Sequence, residues 1–224
     1  MTMVTTNPKI GNTPSGDIPA VEIPFVVLHN VSWQTYKALL ADMGEHRASR
    51  LAYSHGILEI KMPSKLHELI NRLLERIITT LTEELSMSVL PLGSTTFDRE
   101  ETGQGVEPDS CFYIQNAEYI NPEDEQPPSN LPPDLVVEVD ITSSSRSRLN
   151  IYGSMGVPEI WRYNRQGFTV LCLREGVYVE CESSLAFPEI SAEFLRLLIE
   201  KGKRARDQNA VIRELRNRLR ESTA

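Results

Sequence analysis

The strongest periodicity in the chain is helical. Leu66, Leu69, Ile70, Leu73, Leu74, Ile77, Ile78 and Leu81 recur at 3.6-residue spacing, which puts one broad apolar stripe on a helix that Pro63-Ser64 opens and that runs to about Glu84. Ser32 is placed to cap a shorter helix over 33–42. Residues 50–53 and 57–62, around Ser54-His55-Gly56, read as a hairpin, with Glu59 on a solvated polar face. Short strands are expected at 88–92 and 106–114. The acidic, Pro-rich stretch 116–133 is too polar to pack and reads as loop. An apolar run over 136–141 predicts a buried strand, followed by a short helix over 146–153 capped by Thr142 or a neighbouring Ser. The turn Gly156-Val157-Pro158 leads to a strand over 159–163, and 168–173 with 177–181 form a meander. The end, 191–220, is helical with an interruption near Gly202.

These elements predict an α/β fold, a mixed central β-sheet flanked by helices. With 224 residues, 40% of them hydrophobic, the chain has enough apolar matter for one sizeable core. The expected organisation is an N-terminal flexible segment at 1–20, one domain over 21–200, and a basic amphipathic helix over 201–224. Cys111, Cys172 and Cys181 are odd in number and lack CxxC spacing, which speaks against a disulfide framework or a thiolate zinc site and for a reducing, cytoplasmic setting. No segment reaches the roughly 18 continuous apolar residues of a membrane span.

The net charge of −8 is unevenly spread. Nine acids face one base, Arg99, between Asp98 and Glu125, whereas Lys201 to Arg220 holds eight Lys/Arg against Asp207 and Glu214. A nucleic-acid ligand would meet an acidic body unless cations or the tail neutralise it. Leu195, Leu198 and Ile199, then Ile212, Leu215 and Leu219, give that tail an apolar side suited to packing on its own domain or on a second copy, which makes a homodimer through this helix the expected self-contact.

Candidate chemistry begins with Glu138 and Asp140, carboxylates inside an apolar strand. An isolated buried carboxylate shifts its pKa, pairs with a cation or binds a metal. Asp134, four residues before Glu138 and roughly 13 Å away along a strand, is too far to share an ion and reads as a strand-start residue. Asp109 lies in a different strand, and if that strand pairs beside 136–141 its carboxylate converges with Glu138. Asp109 and Glu138 are therefore the candidate metal pair, and Asp140, on the same face as Glu138, adds a ligand or positions a water. Oxygen ligands of this kind suit Mg²⁺ or Mn²⁺ rather than zinc. A competing reading satisfies Glu138 with a nearby arginine, Arg148 or Arg162. On the long helix, His67 falls at the margin of the apolar stripe and Glu68 almost opposite, so His67 is the better candidate to line a site.

The segments Gly56-Ile57-Leu58-Glu59-Ile60-Lys61-Met62-Pro63-Ser64 with His67, Val106-Glu107-Pro108-Asp109, Pro133-Asp134-Leu135-Val136-Val137-Glu138-Val139, and Tyr152 with Gly156-Val157-Pro158-Glu159-Ile160-Trp161 occur in this order. Together they resemble the PD-(D/E)XK nuclease fold and, more closely, its Uma-two-type restriction-endonuclease branch, common in cyanobacteria. The resemblance covers roughly 25–198. It implies a restriction-endonuclease-like core, metal-dependent cleavage of DNA, and Asp109 and Glu138 as acidic ligands. It also implies that the nuclease lysine has moved to the following helix, four residues before the tyrosine. Here that position holds Arg148, and Asp140 stands where the superfamily has lysine. Arginine keeps the charge that stabilises a phosphorane or an attacking hydroxide but cannot abstract a proton. The alternative that this change favours is a nuclease-derived scaffold that binds nucleic acid or protein without cutting; an RNA nuclease or repair enzyme of the same fold predicts the same site.

Overall fold

The computed structural model describes residues 3–4, 25–44, 48–124, 126–141 and 146–223. The N-terminal segment expected over 1–20 lies, except for Met3–Val4, outside the described residues, as does the expected cap at Thr142 and its neighbouring serines. In chain order the elements are β1 (Met3–Val4), β2 (Phe25–Leu28), α1 (Trp33–Met43), β3 (Arg50–Ser54), β4 (Ile57–Lys61), α2 (Lys65–Glu84), β5 (Leu90–Gly93), β6 (Phe97–Arg99), β7 (Gln104–Val106), β8 (Ser110–Tyr113), β9 (Leu135–Asp140), α3 (Arg146–Met155), β10 (Glu159–Asn164), β11 (Gly167–Arg174), β12 (Val177–Cys181), α4 (Ala192–Arg204) and α5 (Gln208–Thr223). Short 3₁₀ turns follow β6 and β8.

Among the described residues the strands form two sheets, one of them the mixed central sheet expected. One has the order β1-β2-β4-β3-β7-β6 and is antiparallel throughout. The other has the order β12-β11-β10-β9-β8-β5, with β9 and β10 parallel and joined through α3. The strand expected over 106–114 is in fact two. It breaks at Glu107-Pro108-Asp109, where proline has no N–H for a ladder, and the chain passes from β7 in the first sheet to β8 in the second.

Strict alternation on β9 divides the second sheet. Leu135, Val137 and Val139 pack into the core built on α2, α4 and α5, while Val136 packs on the other side with Ile151, Tyr152 and Met155 of α3. Glu138 and Asp140, two and four residues from Val136, share its α3-facing side.

Ser64 caps α2, its Oγ accepting from the backbone N–H of His67 at 3.1 Å. The interruption expected near Gly202 falls at 205–207, between α4 and α5; α4 runs through Gly202 itself, where a Cβ would stand 2.5 Å from Leu73 Cδ2, so glycine lets α4 cross α2 closely. Val211, Ile212, Leu215 and Leu219 of α5 join the α2 core, and Arg216 and Arg220 reach Glu83 and Glu84. Much of the tail's positive charge is thereby spent within the chain.

The expectation of unpaired cysteines is corrected. Cys172 and Cys181 form a disulfide between β11 and β12, with Cα atoms 6.1 Å apart. Cys172 is in register with Val179, so Cys181, two residues on, shares its face, and a hairpin supplies the approach that CxxC spacing supplies elsewhere. Cys111 is a buried free thiol. Among the described residues, no helix is long and apolar enough to cross a membrane.

Candidate active site

The break between β7 and β8 delivers Asp109 to the seam between the sheets. Ser110 is in register with Val137 on the antiparallel neighbour β9, which brings Asp109 beside the Glu138–Val139 end of that strand. The convergence expected of the two strands is therefore present. Asp109 Oδ2 accepts from the backbone N–H of Val139 at 2.7 Å and from Lys61 Nζ at 3.2 Å, and lies 2.8 Å from His67 Nε2. Its other oxygen, Oδ1, is buried and has no hydrogen-bond partner. Burial alone would push this carboxyl up. Lys61, then the His67 ring 2.8 Å away, and Arg148 outweigh it and hold Asp109 well below the usual carboxylate range.

Glu138 is fully buried and differently satisfied. Oε1 accepts from the Tyr152 hydroxyl at 2.6 Å. Oε2 lies 2.8 Å from an Arg148 guanidinium nitrogen, an ion pair that does not form an aligned hydrogen bond. Arg148 also contacts Asp140 Oδ1 at 3.2 Å. Burial pushes Glu138 up to about 7, with Arg148 opposing the shift and Asp109 adding to it. The same carboxylates raise the affinity of Arg148 for its proton, against the opposite effect of its own burial. Tyr152 is held well above its ordinary value, by burial first and by Glu138 next.

All five residues expected at the site, His67, Asp109, Glu138, Asp140 and Arg148, are buried and linked by these contacts. The arginine alternative for Glu138 is realised, with Arg148 as the cation in contact. Glu68 points outward and pairs with Arg72. Asp134 starts β9 as expected, tying down the connection from β8 through the backbone N–H groups of Ile114 and Asn116.

Two participants were assigned no role from the sequence. Lys61, only 4% exposed, spans the sheets from the end of β4 to Asp109 and to the Val139 carbonyl at 2.7 Å. Tyr152 holds Glu138. The signal for Lys61 was its place two residues from Glu59 on one strand face. That face was read as solvated, but it fronts α3 and β9, and Glu59 is half-buried, accepting from Ser147 Oγ at 2.6 Å.

Three carboxylates, Asp109, Glu138 and Asp140, thus meet Lys61 and Arg148. Asp109 keeps one buried oxygen, Oδ1, with no hydrogen-bond partner, an open oxygen donor of the kind a hard divalent cation takes. Among the described residues no group of three or more His, Cys, Asp and Glu is assembled to hold a metal, so an ion on Asp109 and Glu138 would complete its shell with water or substrate oxygens, as Mg²⁺ commonly does.

The two-sheet α/β body has the restriction-endonuclease-like fold, and the carboxylates of adjacent central strands with a cation-bearing helix behind them are the geometry expected at its site. Within it, the chain belongs to the Uma2 family, described as "Putative restriction endonuclease", whose model matches residues 33–200. A crystal structure from Anabaena variabilis, described as "a putative nuclease belonging to DUF820", has the same fold: TM-score 0.51 at 14% identity, over 75% of this chain and 99% of that one. A search of curated proteins gives no match. Family and fold together support a nuclease-like function.

Proposed function

We propose that the protein is a metal-dependent endonuclease that hydrolyses DNA phosphodiester bonds, with Asp109 and Glu138 holding Mg²⁺ or Mn²⁺. The observation that carries this reading is the asymmetry of Asp109: hydrogen bonds from the Val139 N–H and Lys61 Nζ, with the His67 ring 2.8 Å away, fix Oδ2, and the buried Oδ1 has no partner. Such an oxygen is costly to bury unless a ligand completes it. When bound, the metal supplies charge neutralisation at the phosphate and a more acidic water. The chain's own residues do the rest. His67 and Lys61 keep Asp109 ionised and oriented. Asp140 orients Arg148 and the attacking water, and Arg148 contributes positive charge toward the phosphate but not proton abstraction, since a guanidinium does not give up its proton.

DNA as substrate follows from this reading; a cytoplasmic setting would rest on the nuclease role alone, since two of the cysteines that suggested it, Cys172 and Cys181, are paired. Self-association through the C-terminal helix would use its charged outer side, because its apolar side is packed on α2. The second reading, a scaffold that binds without cutting, is favoured by one observation: Arg148 already neutralises Glu138 and Asp140. The test is cleavage of supercoiled plasmid in Mg²⁺ or Mn²⁺, against EDTA and a Glu138→Ala preparation. Metal-dependent nicking that disappears with Glu138 is the expected result; no cutting of plasmid, single-stranded DNA or RNA selects the scaffold.

A further inference from the structure

Glu138 cannot serve a metal while Arg148 stays where it is. One of its oxygens is held by the Tyr152 hydroxyl, and the other lies 2.8 Å from the guanidinium. A second cation at that oxygen would face the guanidinium at close range in a buried seam, where charges are poorly screened. The Arg148 side chain, 4% exposed, is also shared with Asp140. A single guanidinium thus fills the cation requirement of two site carboxylates at once.

The contrast with Lys61 shows which cation is built to leave. Lys61 Nζ donates both to Asp109 Oδ2 and to the Val139 carbonyl, a neutral acceptor that persists whatever happens to the carboxylates. Arg148 donates one hydrogen bond, to Asp140 Oδ1 at 3.2 Å, but meets Glu138 Oε2 by charge contact without an aligned hydrogen bond, and its Nε is buried without a partner. It stands in the first turn of α3, beside the exposed Ser147, so rotation of a long side chain carries the guanidinium outward without moving the helix.

We infer that Arg148 is an exchangeable cation that links metal and substrate. It compensates Glu138 and Asp140 in the metal-free protein, releases Glu138 when the metal is held, and takes a substrate phosphate as its new counter-ion. This rests on the metal-site reading above. A guanidinium suits the exchange because its planar fork matches carboxylate and phosphate oxygens equally well. By linkage, each ligand then strengthens the other, since a phosphate stabilises the outward Arg148 that the metal requires.

Arginine labelling with phenylglyoxal, read at Arg148 by peptide mass spectrometry on the full chain, tests this, with Mn²⁺ occupancy followed separately by the electron paramagnetic resonance signal of the free ion. The expected result is slow labelling without metal, at least about tenfold faster labelling with saturating Mn²⁺, and renewed protection when a short DNA duplex is added. Glu138→Gln should raise Arg148 labelling without any metal, because one of the two charges that retain it is gone and only Asp140 still holds it. Exposed Arg72 should label alike with and without Mn²⁺. Bound Mn²⁺ with unchanged Arg148 labelling would overturn the exchange and leave the metal site standing. Absence of Mn²⁺ binding would overturn the metal site and the exchange with it.

Discussion

The chain contains two Pro-Asp pairs that precede paired central strands, and they have opposite designs. Asp134 begins β9 with its carboxylate turned to its own neighbourhood: Ile114 N–H at 2.7 Å, Asn116 N–H at 3.0 Å and Asn116 Nδ2 at 2.5 Å. Neutral donors from one connection satisfy both oxygens. Asp109 begins β8 with one oxygen held by groups from β9, β4 and α2, two of them cationic or basic, and the other oxygen bare. A carboxylate whose donors are neutral and local closes a loop. One whose partners are charged and come from several elements, with lone pairs to spare, is what the proposed metal site calls for.

Exchanging the two carboxylates for neutral groups breaks this comparison most forcefully. Asp109→Asn should lower metal-dependent plasmid cleavage at least about 100-fold with the chain still folded, the scale expected when a metal site loses a ligand. Asp134→Ala should leave the site chemistry in place and cost stability instead. Two backbone N–H groups lose their acceptor in a buried position, for about 3 kcal/mol and a melting temperature lower by roughly 6–12 °C. An Asp134→Ala protein that melts like the parent would remove the loop-closing role.

The second carboxylate of the pair sharpens the contrast through pH. Glu138 is pushed up to about 7 by burial, against an ordinary value of 4.5, so the folded state favours its protonated form. That stability is fully present below about pH 4.5 and is lost as pH rises through about 7, a full change of roughly 3 kcal/mol. Denaturant unfolding of metal-free protein at pH 5 and pH 8 should show the loss, and Glu138→Gln should flatten it. Asp109, held low, contributes with the opposite sign: its stability is present above the ordinary aspartate range and lost only in strong acid, outside this window. The smallest effect belongs to the surface. Arg220→Ala removes an exposed pair with Glu84 and should change unfolding free energy by less than about 1 kcal/mol.

What was legible in the sequence follows the same division. The α2 stripe, the hairpin of β3 and β4, and β9 were readable because period and burial coincide within single elements. The pairing of Asp109 with Glu138, and the different duty of Asp134, could be argued from strand geometry alone. The break at Glu107-Pro108-Asp109 was not seen, although proline marks it, because the run on either side is equally strand-like. Lys61 was missed for a deeper reason. Alternation along β4 says which side is polar but not what lies there, and the polar side faces a second sheet rather than water. The cysteine pair was missed because register across a hairpin, not spacing along the chain, brings Cys172 to Cys181.

The claim that Asp109 and Glu138 hold a divalent cation is tested most directly by anomalous diffraction from crystals soaked in Mn²⁺. A peak within coordination distance of Asp109 Oδ1, shared with a Glu138 oxygen, is the predicted result. A map with no peak there, from crystals that bind Mn²⁺ elsewhere or not at all, would contradict the account.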